Sequence, residues 1–293
     1  MIFPHIANLL LVLGFAIQGS SAKFDQSYPK QLATVRRRSG LTHKEFLYYH
    51  TLVHGLKSWN APRDDAFAAA YSLNYAFDAA FGANNSVPNA AYVGRDDVAE
   101  LWSSSPTTFT AQSNYTESVI GPDGANFNDL PVAFSIFGIE TFVRGSASTP
   151  IVKESAPTKG PVVAFFWTSA TSDSISNDTF ARGVTDALLT NLPSNVVYRA
   201  SIHVPVPGVD IRPYFGGEGL PTISSVIKLW LHDGDAAVTK VRAAQTALNY
   251  GGLHLDENVS FMLFTRAVAI WDLDRNVPFN DHRLKASLKA NTY

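Results

Sequence analysis

The segment Val98-Ala99-Glu100-Leu101-Trp102 has a counterpart in Val226-Ile227-Lys228-Leu229-Trp230, 128 residues further along the chain. Two more matches fall near the same spacing. Val132-Ala133-Phe134-Ser135-Ile136-Phe137 is answered by Ser260-Phe261-Met262-Leu263-Phe264, and Thr34-Val35 by the opening of Val162-Val163-Ala164-Phe165-Phe166. Three matches in one order at one offset imply an internal duplication. Between the copies lies a Ser/Thr/Pro/Lys-rich stretch with the composition of a linker. The expected organisation is a first α+β domain over 23–144, a linker over 145–160, a second, degenerate α+β domain over 161–271 and a C-terminal extension over 272–293.

Both copies repeat one succession of elements: strand, helix, strand region, the Leu-Trp strand, helix, strand. In the first copy these fall at 31–37, 42–58, 66–80, 96–102, 105–118 and 131–143; the Ala-rich stretch 66–80 is ambiguous and reads as helical in part. In the second they fall at 161–168, 174–191, 195–204, 223–231, 233–247 and 259–271. Strands alternating with helices across tight turns give an α+β sheet with helices on one face. Two such sheets, face to face, bury their free faces against each other as a barrel. The tail after Asp272 carries Arg275, Arg283, Lys285 and Lys289 and reads as a solvated extension.

Ser39-Gly40-Leu41-Thr42-His43-Lys44-Glu45-Phe46 is the sharpest local signal. Thr42 at the N-cap and Glu45 three residues on form a capping box, and Leu41 and Phe46 occupy the staple positions around it. Phe46, Tyr49, His50, Val53 and His54 follow at helical spacing and share one face. An imidazole titrates near neutral pH and moves a proton in either direction without a cofactor, so His54, with His50 one turn before it, is the candidate acid or base. The competing reading is a helix-end histidine bonded to a carbonyl. The two histidines also have the spacing of a metal pair, but no flanking Glu completes H-E-x-x-H and no third ligand stands out, so no metal is expected.

Glu100 and Trp102 share one strand face, and Lys228 and Trp230 share the matching face of the repeat. Pseudo-twofold symmetry would bring Glu100 and Lys228 together at a cavity wall; a solvated sheet edge is the competing reading. Tyr48, Tyr49 and Trp59 could frame a flat aromatic ligand, or pack as core.

The 293 residues are 46% hydrophobic and 16% charged with a net charge of −2, which supports a large core, excludes a disordered chain and leaves no basic field for nucleic acid. With no cysteine, disulfides, thiolate zinc sites, iron–sulfur clusters and a cysteine nucleophile are excluded. There is no G-x-S-x-G elbow and no G-x-G-x-x-G or phosphate loop, so neither a serine hydrolase nor a nucleotide cofactor is expected. Residues 1–22 combine a short apolar run, Leu9 to Ile17, with small residues ending at Ala22, the pattern of a cleaved secretory signal peptide. Beyond it no stretch approaches the roughly 20 apolar residues of a membrane helix, so no membrane contact is expected after cleavage. The sequons at Asn84, Asn114, Asn177 and Asn258 fit a glycoprotein that is secreted or resident in the endomembrane lumen.

The run from Arg36 to Gly55, with its Arg-Arg-Arg-Ser-Gly-Leu-Thr entry, Glu45-Phe46, Tyr49 and closing His54, resembles the opening of the EthD-like family of dimeric α+β barrel proteins. Asp97-Val98-Ala99-Glu100-Leu101-Trp102 is similar to that family's second signature, while His50 stands where the family usually has Trp. The resemblance covers residues 30–143 and reaches 161–271 only through the repeat. It implies two ferredoxin-like half-barrels, fused in one chain as a pseudo-dimeric α+β barrel. It also implies a small cofactor-free protein like the fungal polyketide-tailoring dehydratases, decarboxylases and cyclases.

Aligning Phe180 with Phe46 sets Val184 against His50 and Leu188 against His54, so one active cavity is expected, in the N-terminal half. The expected function is a cofactor-independent lyase or cyclase acting on a small hydrophobic, polyketide-like or aromatic substrate. Its catalytic candidates are His54, His50 and Glu100, and its binding candidates are Tyr49, Trp59, Trp102, Lys228 and Trp230. The alternative is a non-catalytic carrier for a hydrophobic small molecule. A haem or oxygen-using barrel enzyme is a third class. The fused pair would act as a monomer or as a homodimer.

Overall fold

Along β1 (Pro29–Val35) every residue is buried, although Lys30, Gln31 and Thr34 are polar. A strand with no solvent face must cover both sides, and here one side meets helices while the other meets the inside of a closed barrel. The structure, a computed structural model, describes residues 29–63, 67–82, 92–103, 113–145, 159–172, 174–232 and 234–291. The proposed signal segment, Asn84 and residues 146–158 of the linker lie outside the described residues.

After β1 come α1 (His43–Tyr48), a π-helical turn (Tyr49–His54) and α2 (Gly55–Trp59), which run on as one helix. Then follow β2 (Ala70–Phe81), β3 (Asp97–Trp102), a second π-helical turn (Thr116–Ile120) leading into α3 (Gly121–Gly124), and β4 (Phe134–Arg144). The second half holds β5 (Val162–Thr168), α4 (Asn177–Thr190), β6 (Val197–Pro205), α5 (Arg212–Phe215), β7 (Ser225–Leu231), α6 (Gly234–Thr246) and β8 (Phe261–Asp272), and the chain ends in α7 (Asp281–Asn291).

The eight strands close an antiparallel barrel in the order β1-β3-β2-β8-β5-β7-β6-β4. Read half by half, the order is β4-β1-β3-β2 and then β8-β5-β7-β6, the same permutation twice. The joins are β2 with β8 and β4 with β6, so each half completes its sheet on the other.

Two sequence expectations need correction and one boundary moves. Residues 70–81 form a strand, not a partial helix: Tyr71, Leu73 and Tyr75 alternate toward the helices, and pairing with β3 and β8 overrides the low strand preference of its alanines. The helix expected at 105–118 runs on to Gly124 through the turns at Thr116–Ile120 and Gly121–Gly124; residues 104–112 lie outside the described set. The tail is not a solvated extension, because α7 buries Leu284, Ser287, Leu288 and Asn291, and Asn291 Oδ1 accepts the backbone N–H of Gly160 at 3.0 Å. Among the described residues no helix is long and apolar enough to cross a membrane.

In the second half the helix-to-sheet space is filled. Phe180, Val184 and Leu188 of α4 join a core with Ile202, Ile227, Leu229 and Met262. The equivalent space in the first half is where the histidines lie.

Candidate active site

Thr42 caps α1 as its sequence requires: its hydroxyl accepts the Glu45 N–H, and the Glu45 carboxylate accepts the Thr42 N–H at 2.8 Å. Two carboxylates at the head of β3 then tie the helix to the sheet. Asp96 Oδ1 lies 2.8 Å from His43 Nδ1 and Asp96 also takes the Arg37 guanidinium, while Asp97 Oδ2 lies 2.6 Å from His50 Nδ1. His50 and His54 both fall in the π-helical turn, a rare geometry that concentrates at functional sites. Gly55 ends that turn against Ile270 and Phe279, where an added Cβ would stand 3.3–3.4 Å from both side chains, so the helix sits close on β8.

The helix covers an apolar cavity of about 200 Å³. Its floor is the outer face of β1 and β3, where the small side chains of Ala33 and Ala99 leave the space, and Phe67, Phe127 and Trp271 form much of its wall. His50, His54 and Tyr71 line it. The Phe127 ring packs against both imidazoles, with centroids at 4.6 Å from His50 and 4.9 Å from His54, and the two imidazoles are 5.5 Å apart.

Each histidine is held by its own aspartate, and the two pairs differ. Asp123, just before α3 ends, lies 2.9 Å from His54 Nδ1 and also accepts from Lys57, from the Tyr49 hydroxyl at 2.8 Å and from Asn126 at 3.1 Å. Burial works to raise the Asp123 carboxyl, but these four donors overcome it and hold the group well below the usual carboxylate range. An anionic Asp123 fixes the His54 proton on Nδ1. Burial, helped by the charges of His50 and Lys57, pushes the His54 imidazolium down, so at neutral pH the ring is uncharged with Nε2 as a bare acceptor. Among the described residues no hydrogen bond reaches that Nε2.

Asp97 is the opposite case. It is fully buried and, among the described residues, only its Oδ2 is bonded while Oδ1 has no donor; burial pushes its carboxyl up despite the opposing pull of His50. Beyond His50 the chain continues to the Tyr71 hydroxyl, 2.8 Å from Nε2. Burial and the Asp97 charge raise the Tyr71 phenol well above its ordinary value. Two proton arrangements satisfy this Tyr71–His50–Asp97 chain. In one the phenol donates to a neutral His50; in the other a protonated His50 donates to the phenol, whose own hydrogen is then free for the cavity.

Sequence reasoning brought His50 and His54 to one face, and both line the cavity. Tyr49 is near it through Asp123 and stacks on Phe127 at 5.3 Å. Trp59 packs instead on Phe67 and Trp271 behind the wall, with Arg63 over its ring at 4.2 Å, and Tyr48 is exposed. Glu100 is not with the histidines. The pleat of β3 turns Asp97, Ala99 and Leu101 to the helix side, where Ala99 and Leu101 line the cavity, and Val98, Glu100 and Trp102 into the barrel, so a shared role for Glu100 and His54 is corrected by strand parity.

Inside the barrel Glu100 meets Lys30 Nζ at 2.6 Å and Lys228 Nζ at 2.6 Å. The pseudo-symmetric Glu100–Lys228 contact therefore forms, buried rather than at a solvated edge. Lys30 also reaches Glu140 at 2.9 Å, which accepts from Ser201 at 2.6 Å. The Lys30 ammonium sits 4.5 Å from the Trp102 ring and that of Lys228 4.4 Å from Trp230, so the three remaining binding candidates belong to this ion cluster. Burial works against the Glu100 anion, but Lys228 and Lys30 outweigh it and hold the carboxyl down at about 2.

Sequence reasoning missed Asp97, Tyr71, Asp123 and Phe127. For Asp97 a signal existed, since it alternates with Ala99 and Leu101 on the face opposite Glu100. Of the described sequons, Asn114 and Asn258 are exposed and Asn177 is half-buried at the start of α4. Among the described residues no group of three His, Asp or Glu side chains is placed to hold a metal ion.

No protein-family model matches the chain, and no curated protein matches it. Solved structures with a similar course of the chain include an anthrone oxidase-like protein, at 9% identity over 84% of this chain and 95% of that one with a TM-score of 0.43. A mutant chlorite dismutase from Candidatus Nitrospira defluvii is 11% identical over 90% of this chain and 97% of that one, with a TM-score of 0.40. A dye-decolorizing protein from V. cholerae is 8% identical over 82% of this chain and 94% of that one, with a TM-score of 0.41. Similarity this distant assigns neither a family nor an activity.

Proposed function

We propose that the chain is a cofactor-independent enzyme of the lyase or cyclase type, acting on a small, flat, largely apolar substrate in the cavity under the first-half helix. The observation that carries this reading is the contrast between two histidine–aspartate pairs facing one apolar space. Environments that push two carboxyls apart divide acid from base. Asp123, held low, keeps His54 neutral with Nε2 open, the arrangement of a general base. Asp97, pushed up, backs His50 and Tyr71 as the side that keeps and returns a proton. In an elimination, His54 Nε2 takes the proton from carbon, the carbon–oxygen bond breaks, and the leaving oxygen departs as water with a proton from Tyr71. Decarboxylation and ring closure use the same two ends.

The repeated strand permutation supports reading the two halves as ferredoxin-like half-barrels joined by duplication, with the EthD-like resemblance confined to the first. The apolar run at 1–22 and the sequons support secretion, or residence in the endomembrane lumen, as a glycoprotein. The second reading, a carrier, is favoured by the predominance of apolar side chains in the cavity wall. Incubation with an aryl β-hydroxyketone, an aryl β-ketoacid and an aryl diketone capable of aldol closure separates the two. Conversion of one of them supports the enzyme; retention and recovery of all three unchanged supports the carrier.

A further inference from the structure

We propose that Gln31 and Asn128 are the polar anchors of this cavity, and that its ligand is a fused-ring arene with a hydroxyl or carbonyl oxygen at each end. Gln31 is 3% exposed and lines the cavity, yet its carboxamide makes no hydrogen bond among the described residues. A buried amide offers two N–H donors and a carbonyl, and leaving them unpaired is costly unless a ligand or water completes them. Asn128 also lines the cavity, and its buried Oδ1 has no donor among the described residues.

The two amides stand at opposite ends of the floor. Gln31 lies beside Leu101 on β1, whereas the Asn128 backbone bridges to Arg37, beyond the other end of that strand. Between them the floor is Ala33, Ala99 and Val35, which can only offer apolar contact. An arene fits that middle. The Asn128 Oδ1 is sealed from the cavity, so its amide meets a ligand through its N–H donors, and the oxygen at that end is a hydroxyl or a carbonyl oxygen. Gln31 both donates and accepts, so it takes a hydroxyl or a carbonyl oxygen. Unsubstituted hydrocarbons would bury both amides unpaired, so the same pair rejects them.

This assignment rests on the cavity being the substrate site, and calorimetric titration separates the two claims. The probes are naphthalene, a naphthol and a naphthalenediol with hydroxyls at opposite ends of the ring system. The wild-type chain is expected to bind the diol about tenfold more tightly than naphthalene, the scale of a net hydrogen bond to a buried group. Gln31→Leu, close in volume, is expected to lower diol affinity to that of the naphthol and to leave naphthalene within about twofold, which also shows that the fold is kept. Gln31→Met serves as the second variant if Gln31→Leu loses naphthalene binding. Equal affinity for diol and naphthalene, or an undiminished diol preference in the Gln31 variant, overturns the anchors while leaving the cavity intact. Failure of all three arenes to bind overturns the cavity reading itself.

Discussion

The Nδ1 of His54 donates to Asp123 Oδ2 at 2.9 Å, and this one contact decides what the imidazole can do. With that proton committed, the ring meets the cavity through its other nitrogen as an acceptor. Replacing Asp123 by Asn frees the ring to take the wrong tautomer. Asp123→Asn is expected to lower turnover of the converted aryl probe by roughly 10²–10⁴, the range for lost acid–base help, and to lower the His54 pKa further, read by NMR titration of the imidazole.

Tyr71→Phe keeps the ring in the cavity wall and removes the hydroxyl from His50 Nε2. A buried hydrogen-bonding group left without its partner costs about 1–3 kcal/mol, to be read by urea unfolding. Turnover should fall in the same variant, because the proton chain from Asp97 loses its last member. Unchanged turnover would remove Tyr71 from the acid role.

The pH dependence of stability has two windows of the same sign and different cause. His54 and His203 are pushed down from 6.5 by burial, so the unfolded chain binds more protons as pH falls through that region. Their contribution is complete above about pH 6.5 and is lost as pH drops toward their lowered values. Glu100, held at about 2, and Asp123 contribute above their ordinary carboxyl values and lose that contribution as pH falls below them. Melting temperature followed from pH 8 to about pH 2 should therefore fall in two stages, the first below about pH 6.5 and the second below the ordinary carboxyl values, and His54→Gln should flatten the first.

Inside the barrel, Glu100 neutralises both Lys30 and Lys228. Glu100→Gln removes the carboxylate charge that two buried ammonium groups share and should cost about 3–5 kcal/mol by denaturant unfolding. Lys228→Met leaves Glu100 still paired to Lys30, so its cost should be smaller. Equal costs would mean that the two lysines share the carboxylate differently.

How much of this the sequence carried depends on separation along the chain. The capping box, the helix face of His50 and His54 and most strands are local patterns and could be read directly. The Glu100–Lys228 contact spans 128 residues, but the repeat offset pointed to it. Asp97 and Asp123 lie 47 and 69 residues from their histidines with no repeat to link them. Asp123 sits in Gly-Pro-Asp-Gly, which reads as a turn, and only the packing of α3 against the helix makes it a partner. β2 was obscured by alanines whose strand state comes from its neighbours.

The most direct test of the central claim is turnover of the converted aryl probe by His54→Gln, with naphthol binding measured on the same preparation. The account predicts a loss of at least about 10² in turnover with binding kept within about twofold. Turnover within about twofold of wild type, with binding intact, would contradict it.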